Sequence, residues 1–303
     1  MVKTDNQKGA GAEDRKIIIA AGLTDPGKVR YHNEDAFSIS EDLGLFIVSD
    51  GMGGHQAGEV ASEIVVKSLP IQIATALSFT SNLNDNNLVA VLRQAIGELH
   101  SQIYKKAKEV IKIKDTGATI VACLIQGKVA AIAHLGDSRA YLMREGVLER
   151  LTDDHTIVGL LLQLGQITNK EAKTHPSRHI LTRYVGMENY LEPDMQLLEL
   201  NDGDRLLLCT DGLTNMVNEN RIASILLRES DIKIVCENLV YAANEAGGKD
   251  NITVLVVQYG DWKQHPEKMK KRVAVKRAVG LPLKKKGEYK DNALSSKEIS
   301  PQE

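Results

Sequence analysis

The chain has 303 residues, 43% hydrophobic and 26% charged, an ordinary soluble balance that suits one large domain or two small ones. Its net charge of −2 hides an asymmetry: residues 261–303 carry twelve Lys and Arg against six Asp and Glu, so residues 1–260 carry −8. A body this acidic is a poor candidate for nucleic-acid binding over a broad face. No apolar run approaches the roughly 20 residues of a membrane-spanning helix, and the N-terminus has no apolar core of a secretory signal. The three cysteines, Cys123, Cys209 and Cys236, lack metal-type spacing and sit in apolar runs, as reduced core residues of a cytoplasmic protein would.

In chain order, residues 1–14 read as a disordered leader. Short strands with turn signals follow at KIIIAAGLT, AFSIS and GLFIVSD. Two helical stretches come next. Gly58–Phe79 is rich in Ala, Val, Ile and Leu, and Asn87–Ile111 places Leu88, Leu92, Ala95, Leu99, Ile103 and Ala107 on one face. Strands resume at ATIVACLI, VAAIAHLGD and AYLMREG, with a hairpin turn at REGVLER. A short helix is expected at TIVGLLLQLG, its LLLQL run a face packed on the core, then strands at MQLLEL and RLLLCTD. Helices at about Asn218–Leu227 and Asp231–Ala246 precede a last strand, NITVLVVQY. Strands that flank two consecutive helices, rather than alternating with helices, predict an α+β fold. Its form is two stacked antiparallel β-sheets with helices on the outer faces, one domain over residues 15–260. Residues 261–303 read as a basic, flexible tail, whose alternating basic and apolar residues also suit a docking arm or a contact with an anionic membrane surface.

Four acids stand at strand ends. Asp50, Asp137 and Asp211 each follow an apolar run, and Asp250 precedes one. A single such acid is usually a turn or a cap. Four that converge on one edge of a sandwich would repel one another unless they held cations, and all-oxygen ligands suit Mg²⁺ or Mn²⁺. Gly51, Gly53 and Gly54 let backbone approach such a centre, and Gly51 can lend its carbonyl oxygen. Upstream, Arg30 is a bidentate partner for phosphate, and Glu34 and Asp35 can add metal or water ligands.

The segments VRYHNEDAF, VSDGMGGHQAGEVAS, TGATIVACLI, HLGDSRAYL, LTDDHT, HPSRHILTRYVG, GDRLLLCTDGLTNMV and KDNITVLVV occur in this order over roughly residues 17–257. Together they closely resemble the bacterial form of the metal-dependent Ser/Thr protein phosphatases of the PPM (PP2C) family. The resemblance implies hydrolysis of phosphoserine and phosphothreonine on proteins by a two-metal-activated water, reversing Ser/Thr kinase signalling. It implies Asp50 as the acid bridging two Mn²⁺ or Mg²⁺ ions, with Asp211 and Asp250 completing the first site. Glu34 and the Gly51 carbonyl would serve the second, Asp35 would orient water, and Arg30 would hold phosphate. Asp137 with Asp211 would bind a third, weaker ion, and His55 would be the proton donor. The partners implied are phosphoproteins, Ser/Thr kinases and their targets among them, met by a monomer.

Other phosphatase chemistries fail on spacing. Positions six beyond the cysteines are Val129, Asn215 and Ala242, so no Cys–Arg phosphate loop exists. There is no GxxxxGK[ST] loop and no HExxH site. A phosphatase-fold binding module and a phosphatase dedicated to one regulatory partner stay open as alternatives. His100 and His134 read as packing or surface residues, and His155 and His179 are given no chemistry. The segment from about Thr156 to Thr174 matches the family's variable flap.

Overall fold

Strands apolar on both faces need cover on both, and that requirement shapes the molecule. The computed structural model describes residues 17–53, 56–79, 85–108, 116–189, 192–262 and 274–277. Two sheets stack in it. One has the order β1 (Ile18–Asp25), β11 (Ile252–Tyr259), β10 (Asp204–Cys209), β7 (Arg139–Arg144), β8 (Val147–Arg150) and β12 (Ala274–Arg277). The other has the order β2 (Asp35–Ser40), β3 (Leu45–Met52), β5 (Ile120–Gln126), β6 (Val129–Leu135) and β9 (Asp194–Glu199), with β4 (Gly117–Ala118) paired to β3. Every pair is antiparallel except β12 on β8. Helices α1 (Gln56–Ser78) and α2 (Asp85–Lys106) cover the second sheet, and α6 (Glu219–Arg228) and α7 (Ile232–Glu245) cover the first. This is the α+β sandwich expected.

The period of two along each strand divides the apolar residues between layers. On β3, Leu45 and Ile47 join the helix-side core, while Phe46 and Val48 fill the space between the sheets. On β11, Val254 and Val256 pack with Val235 and Leu239 of α7, whereas Leu255 and Val257 enter the sandwich interior. Cys123, Cys209 and Cys236 are free and buried in these layers.

Helix α1 meets the length and composition of a membrane-crossing helix, which inspection of apolar runs did not anticipate. In the fold, Ala57, Ala61, Val65, Leu69 and Ile73 recur every four residues as a stripe, buried at 3% exposure or less. From Ala61 to Ile73 the stripe joins α2 and the second sheet in one core. The short helix α3 (Ile157–Gln163) corrects a second expectation. It begins on an N-cap in which Thr156 accepts from the Gly159 N–H, but only Val158 of it is buried. Leu160 is 50% exposed and Leu164, just beyond it, 61%, so the LLLQL run is not a face on the core. The following α4 (Asn169–Ala172) is held by a capping box between Thr168 and Glu171.

Antiparallel pairing collects particular strand ends at one edge. Asp35, which opens β2, lies opposite Asp50 near the end of β3. Ile120, which opens β5, lies opposite Leu135, the last residue of β6. Cys209 at the end of β10 pairs with Val254 near the start of β11. The turns carrying Asp50, Asp137, Asp211 and Asp250 therefore share one rim of the sandwich.

The body continues to Trp262, whose ring packs on the Arg205 guanidinium, with Cζ 3.6 Å from its centroid. Arg205 is fully buried. It donates to the carbonyls of Leu226 (2.8 Å), Glu229 (2.5 Å) and Ser230 (2.7 Å), and to Gln258 Oε1 (2.9 Å), so one side chain satisfies the end of α6. Arg205→Met strands those carbonyls. It should lower the free energy of unfolding by about 3 kcal/mol, read by chemical denaturation, with turnover at 20 °C unchanged.

Within the tail, four residues depart from the expected flexible extension. Residues 274–277 pair in parallel with β8, Ala274 opposite Val147 and Arg277 opposite Arg150. β8 would otherwise leave a row of edge backbone groups unpaired, and an alternating sequence can satisfy them. The leader at 1–14 and the rest of the basic tail beyond Trp262 lie outside the described residues.

Candidate metal centre

The rim holds a cavity of about 740 Å³ whose lining includes Arg30, Glu34, Asp50, Gly51, Asp137, His179, Asp211 and Asp250. Local structure delivers each group. Asp50 leaves β3 with its N–H donated to Thr119 Oγ1 (2.9 Å) and its carbonyl accepting from Thr119 N (2.8 Å). Asp211 opens the one-turn helix α5 (Asp211–Thr214), its Oδ2 accepting from Asn215 Nδ2 at 2.9 Å. Gly51 donates its N–H to the Glu34 carbonyl (3.1 Å). Any Cβ at Gly51 would run into the Gly58 carbonyl, so only glycine lets α1 approach this closely.

Asp35 does not line the cavity; it is buried behind it at 8% exposure. Thr210 donates to its Oδ2 at 2.9 Å, while its Oδ1 is buried without a partner. Arg30 reaches the rim and pairs with a candidate metal ligand, Nε 3.0 Å from Asp250 Oδ1 and Nη2 3.1 Å from Oδ2. His55 and Gly54 lie outside the described residues.

The electrostatics are those of crowded acids. Burial, then Asp35, Asp211, Asp137 and Asp250, push the Asp50 carboxyl well above its ordinary range. Burial, Asp211 and Asp154 do the same to Asp137. Asp211 is raised to about 6 by burial and Asp250. Asp35 is raised to about 7 chiefly by burial, against the opposing hydrogen bonds from Thr253 and Thr210. Hard oxygens that repel one another suit a divalent cation, which would offset their charge. The residues present fit Mn²⁺ or Mg²⁺.

Among the described residues, the one His/Cys/Asp/Glu trio whose ligand atoms all lie within 4.8 Å is elsewhere, at His134, His155 and Asp194. The rim acids are thus less tightly gathered than a three-ligand site. The His trio is an ion-pair network, because the Arg183 guanidinium lies within it, Nη1 2.7 Å from Asp194 Oδ1 and 2.9 Å from His155 Nε2. His100 packs as expected, buried and accepting from the Gly186 N–H.

Sequence reasoning missed the groups that hold the rim together. Asn251 accepts from the Glu34 N–H (2.9 Å) and donates to the carbonyls of His32 (2.8 Å) and Pro26 (3.1 Å), fastening the Arg30 loop to the start of β11. Thr119 fixes Asp50, and Thr210 fixes Asp35 while accepting from the Thr253 N–H (3.0 Å). For Asn251 and Thr210 the signal was position beside an acid, as in KDN and CTD, where a short polar side chain can satisfy loop backbone; Thr119, between Ala118 and Ile120, had none.

Fold and site together define an α+β sandwich with a carboxylate-lined rim suited to hard cations. Comparison narrows the class. A family profile described as protein phosphatase 2C matches residues 28–234. A serine/threonine phosphatase of Listeria monocytogenes is 39% identical over 238 residues, covering 78% of this chain and 93% of that protein. The serine/threonine phosphatase of S. agalactiae aligns at 34% identity with a TM-score of 0.73, over 82% of this chain and 100% of that one. The catalytic domain of the phosphatase PstP, solved with two manganese ions, aligns at 32% identity and a TM-score of 0.71, over 81% and 100%. The chain belongs to the protein phosphatase 2C family.

Proposed function

We propose that this protein removes phosphate from phosphoserine and phosphothreonine in proteins, using divalent cations held at the rim. One observation carries the reading: Asp50, Asp137, Asp211, Asp250 and Glu34 arrive from separate strands and loops at one cavity that also holds Arg30. Asp50, Asp211, Asp250, Glu34 and the Gly51 carbonyl would hold two Mn²⁺ or Mg²⁺ ions, and Asp137 with Asp211 a third, weaker one. When bound, such cations acidify water and offset phosphoryl charge. Arg30, whose Nε and Nη2 pair with Asp250 in the structure, would offer its fork of N–H groups to the phosphoryl oxygens once a cation takes up Asp250. Asp35, buried behind the cavity with an Oδ1 that has no donor, would orient water from there. His55 protonates the departing seryl or threonyl oxygen, a task that suits an imidazole of ordinary pKa near 6.5.

We extend the reading to a monomer in the cytoplasm acting on Ser/Thr kinases and their targets; the three buried free thiols suit a reducing compartment. The test is phosphate release from phosphoserine and phosphothreonine peptides by metal-stripped protein, with Mn²⁺ or Mg²⁺ then titrated back. Activity should appear only with metal. Full turnover in excess EDTA after repeated stripping would overturn the reading.

Deleting residues 263–303 should leave hydrolysis of a small aryl phosphate unchanged, because every assigned residue precedes the cut. Losing the cover on β8 should lower the melting temperature modestly. If the tail is a docking arm, activity on the phosphoprotein falls as well, more at low salt than at high.

A further inference from the structure

The turn that presents Asp137 is held by a side chain from another segment. Gly136 precedes Asp137, and both of its backbone groups end on His155: its N–H donates to His155 Nδ1 (3.1 Å) and its carbonyl accepts from the His155 N–H (2.9 Å). Gly136 has φ +111°, in the region L side chains rarely adopt, and a Cβ there would meet Thr119 Cγ2 at 2.6 Å. No side chain can therefore stiffen this turn from within, and its shape depends on outside partners. While Nδ1 accepts from Gly136, Nε2 of His155 faces the ion pair of Asp194 and Arg183, 3.3 Å from Asp194 Oδ2 and 2.9 Å from Arg183 Nη1. The ring is buried and stacked on His134, with centroids 4.5 Å apart. Its orientation is over-determined.

The same residue closes a loop. The His155 carbonyl accepts from Thr182 N (2.8 Å), Thr156 bridges Leu181, and Ile157 N donates to the Ile180 carbonyl (3.0 Å). Residues 157–181, which include α3, α4 and the cavity-lining His179, thus begin and end at His155. On the other side of Asp137, Ser138 shares a 2.7 Å hydrogen bond with Thr119 Oγ1, the group that holds the Asp50 N–H.

We infer that His155 is a positioning residue: its Nδ1 fixes the Gly136 turn so that Asp137 can serve a divalent cation, and it anchors the 157–181 loop to that turn. The inference deepens the function proposed above and rests on its assignment of Asp137 to the weaker ion.

Three variants of the full chain separate the acceptor from mere bulk. In His155→Asn the amide oxygen falls where Nδ1 lies. In His155→Gln the acceptor falls one bond farther out, and His155→Leu has none. Three readouts apply: Mn²⁺ binding by calorimetry, hydrogen exchange of the Gly136 amide in metal-free protein, and kcat and KM on a phosphopeptide. Tight Mn²⁺ binding should be the same in all three variants. The weak phase should loosen about tenfold in His155→Leu and His155→Gln, the effect of one lost hydrogen bond. In the same two variants the Gly136 amide should lose protection and kcat should fall more than KM changes. His155→Asn should restore all three. If His155→Leu does not fold, the contrast between Asn and Gln carries the test. Weak-phase binding equal to the parent in His155→Leu, or His155→Asn as impaired as His155→Gln, overturns the inference. Asp137→Ala is the control for the underlying reading. If it leaves the weak phase intact, the assignment of Asp137 fails, and this inference fails with it.

Discussion

Asp50→Asn and Asp211→Asn should each cut phosphopeptide hydrolysis on the order of 10³-fold, and Asp50→Asn should at the same time make the metal-free protein harder to melt. The two effects share a cause. Burial and its acidic neighbours push Asp50 well above the ordinary carboxylate range, and Asp35 and Asp211 are raised to about 7 and about 6. A carboxyl whose pKa is higher folded than unfolded binds its proton more tightly in the folded state. Its contribution to stability is therefore greatest near pH 4 and is lost as pH rises toward 7. Metal-free protein should show a melting temperature that falls over this window, the reverse of the usual behaviour of a salt-bridged carboxylate. Saturating Mn²⁺ should raise the melting temperature most at the alkaline end, by mass action on the folded state. Replacing Asp50 by its neutral isostere removes one repelling charge and one ligand, so the metal-free form gains stability and the Mn²⁺-induced rise shrinks. Scanning calorimetry at pH 5, 6 and 7.5, with and without Mn²⁺, measures all of this. A metal-free Asp50→Asn variant that melts below the parent at pH 7.5 would show that Asp50 is held by partners rather than crowded by acids.

His55→Gln should slow phosphoserine and phosphothreonine peptides by roughly 10²-fold, and an aryl phosphate far less. A seryl or threonyl oxygen leaves as a strongly basic alkoxide unless it is protonated, whereas a nitrophenolate is stable without a proton. The ratio of kcat/KM on the two substrates isolates that proton. In the parent, the phosphopeptide profile should also carry an alkaline limb that the aryl phosphate lacks. Equal losses on both substrates would assign His55 to the structure of its turn.

How far the sequence alone reached depends on the kind of interaction. Helix α7 was legible because its apolar positions, the Asp231 cap and the terminal Gly247 and Gly248 are local signals. It begins with Asp231 accepting from the Lys233 N–H and ends at glycines with φ of 129° and 51°. The acids at the ends of strands were legible because an apolar run that stops on an aspartate is visible in one dimension. The exposed Leu160 and Leu164 were not, because an apolar run looks the same whether the fold covers it or leaves it in solvent. The strand at 274–277 was missed because its partner, β8, lies more than a hundred residues away.

By itself, the sequence determined the stacked two-sheet architecture with outer helices and the presence of acids at strand ends, since apolar patterning and residue chemistry are properties of the chain. Only the tertiary structure decided what holds those acids in place. Asn251 fastens the Arg30 loop, Thr119 carries Asp50, Thr210 braces Asp35, and His155 supports the turn of Asp137. Each of these is a hydrogen bond between segments far apart in sequence. A polar side chain has no pattern that names its distant partner; the partner is chosen when folding removes water and every buried donor must find an acceptor.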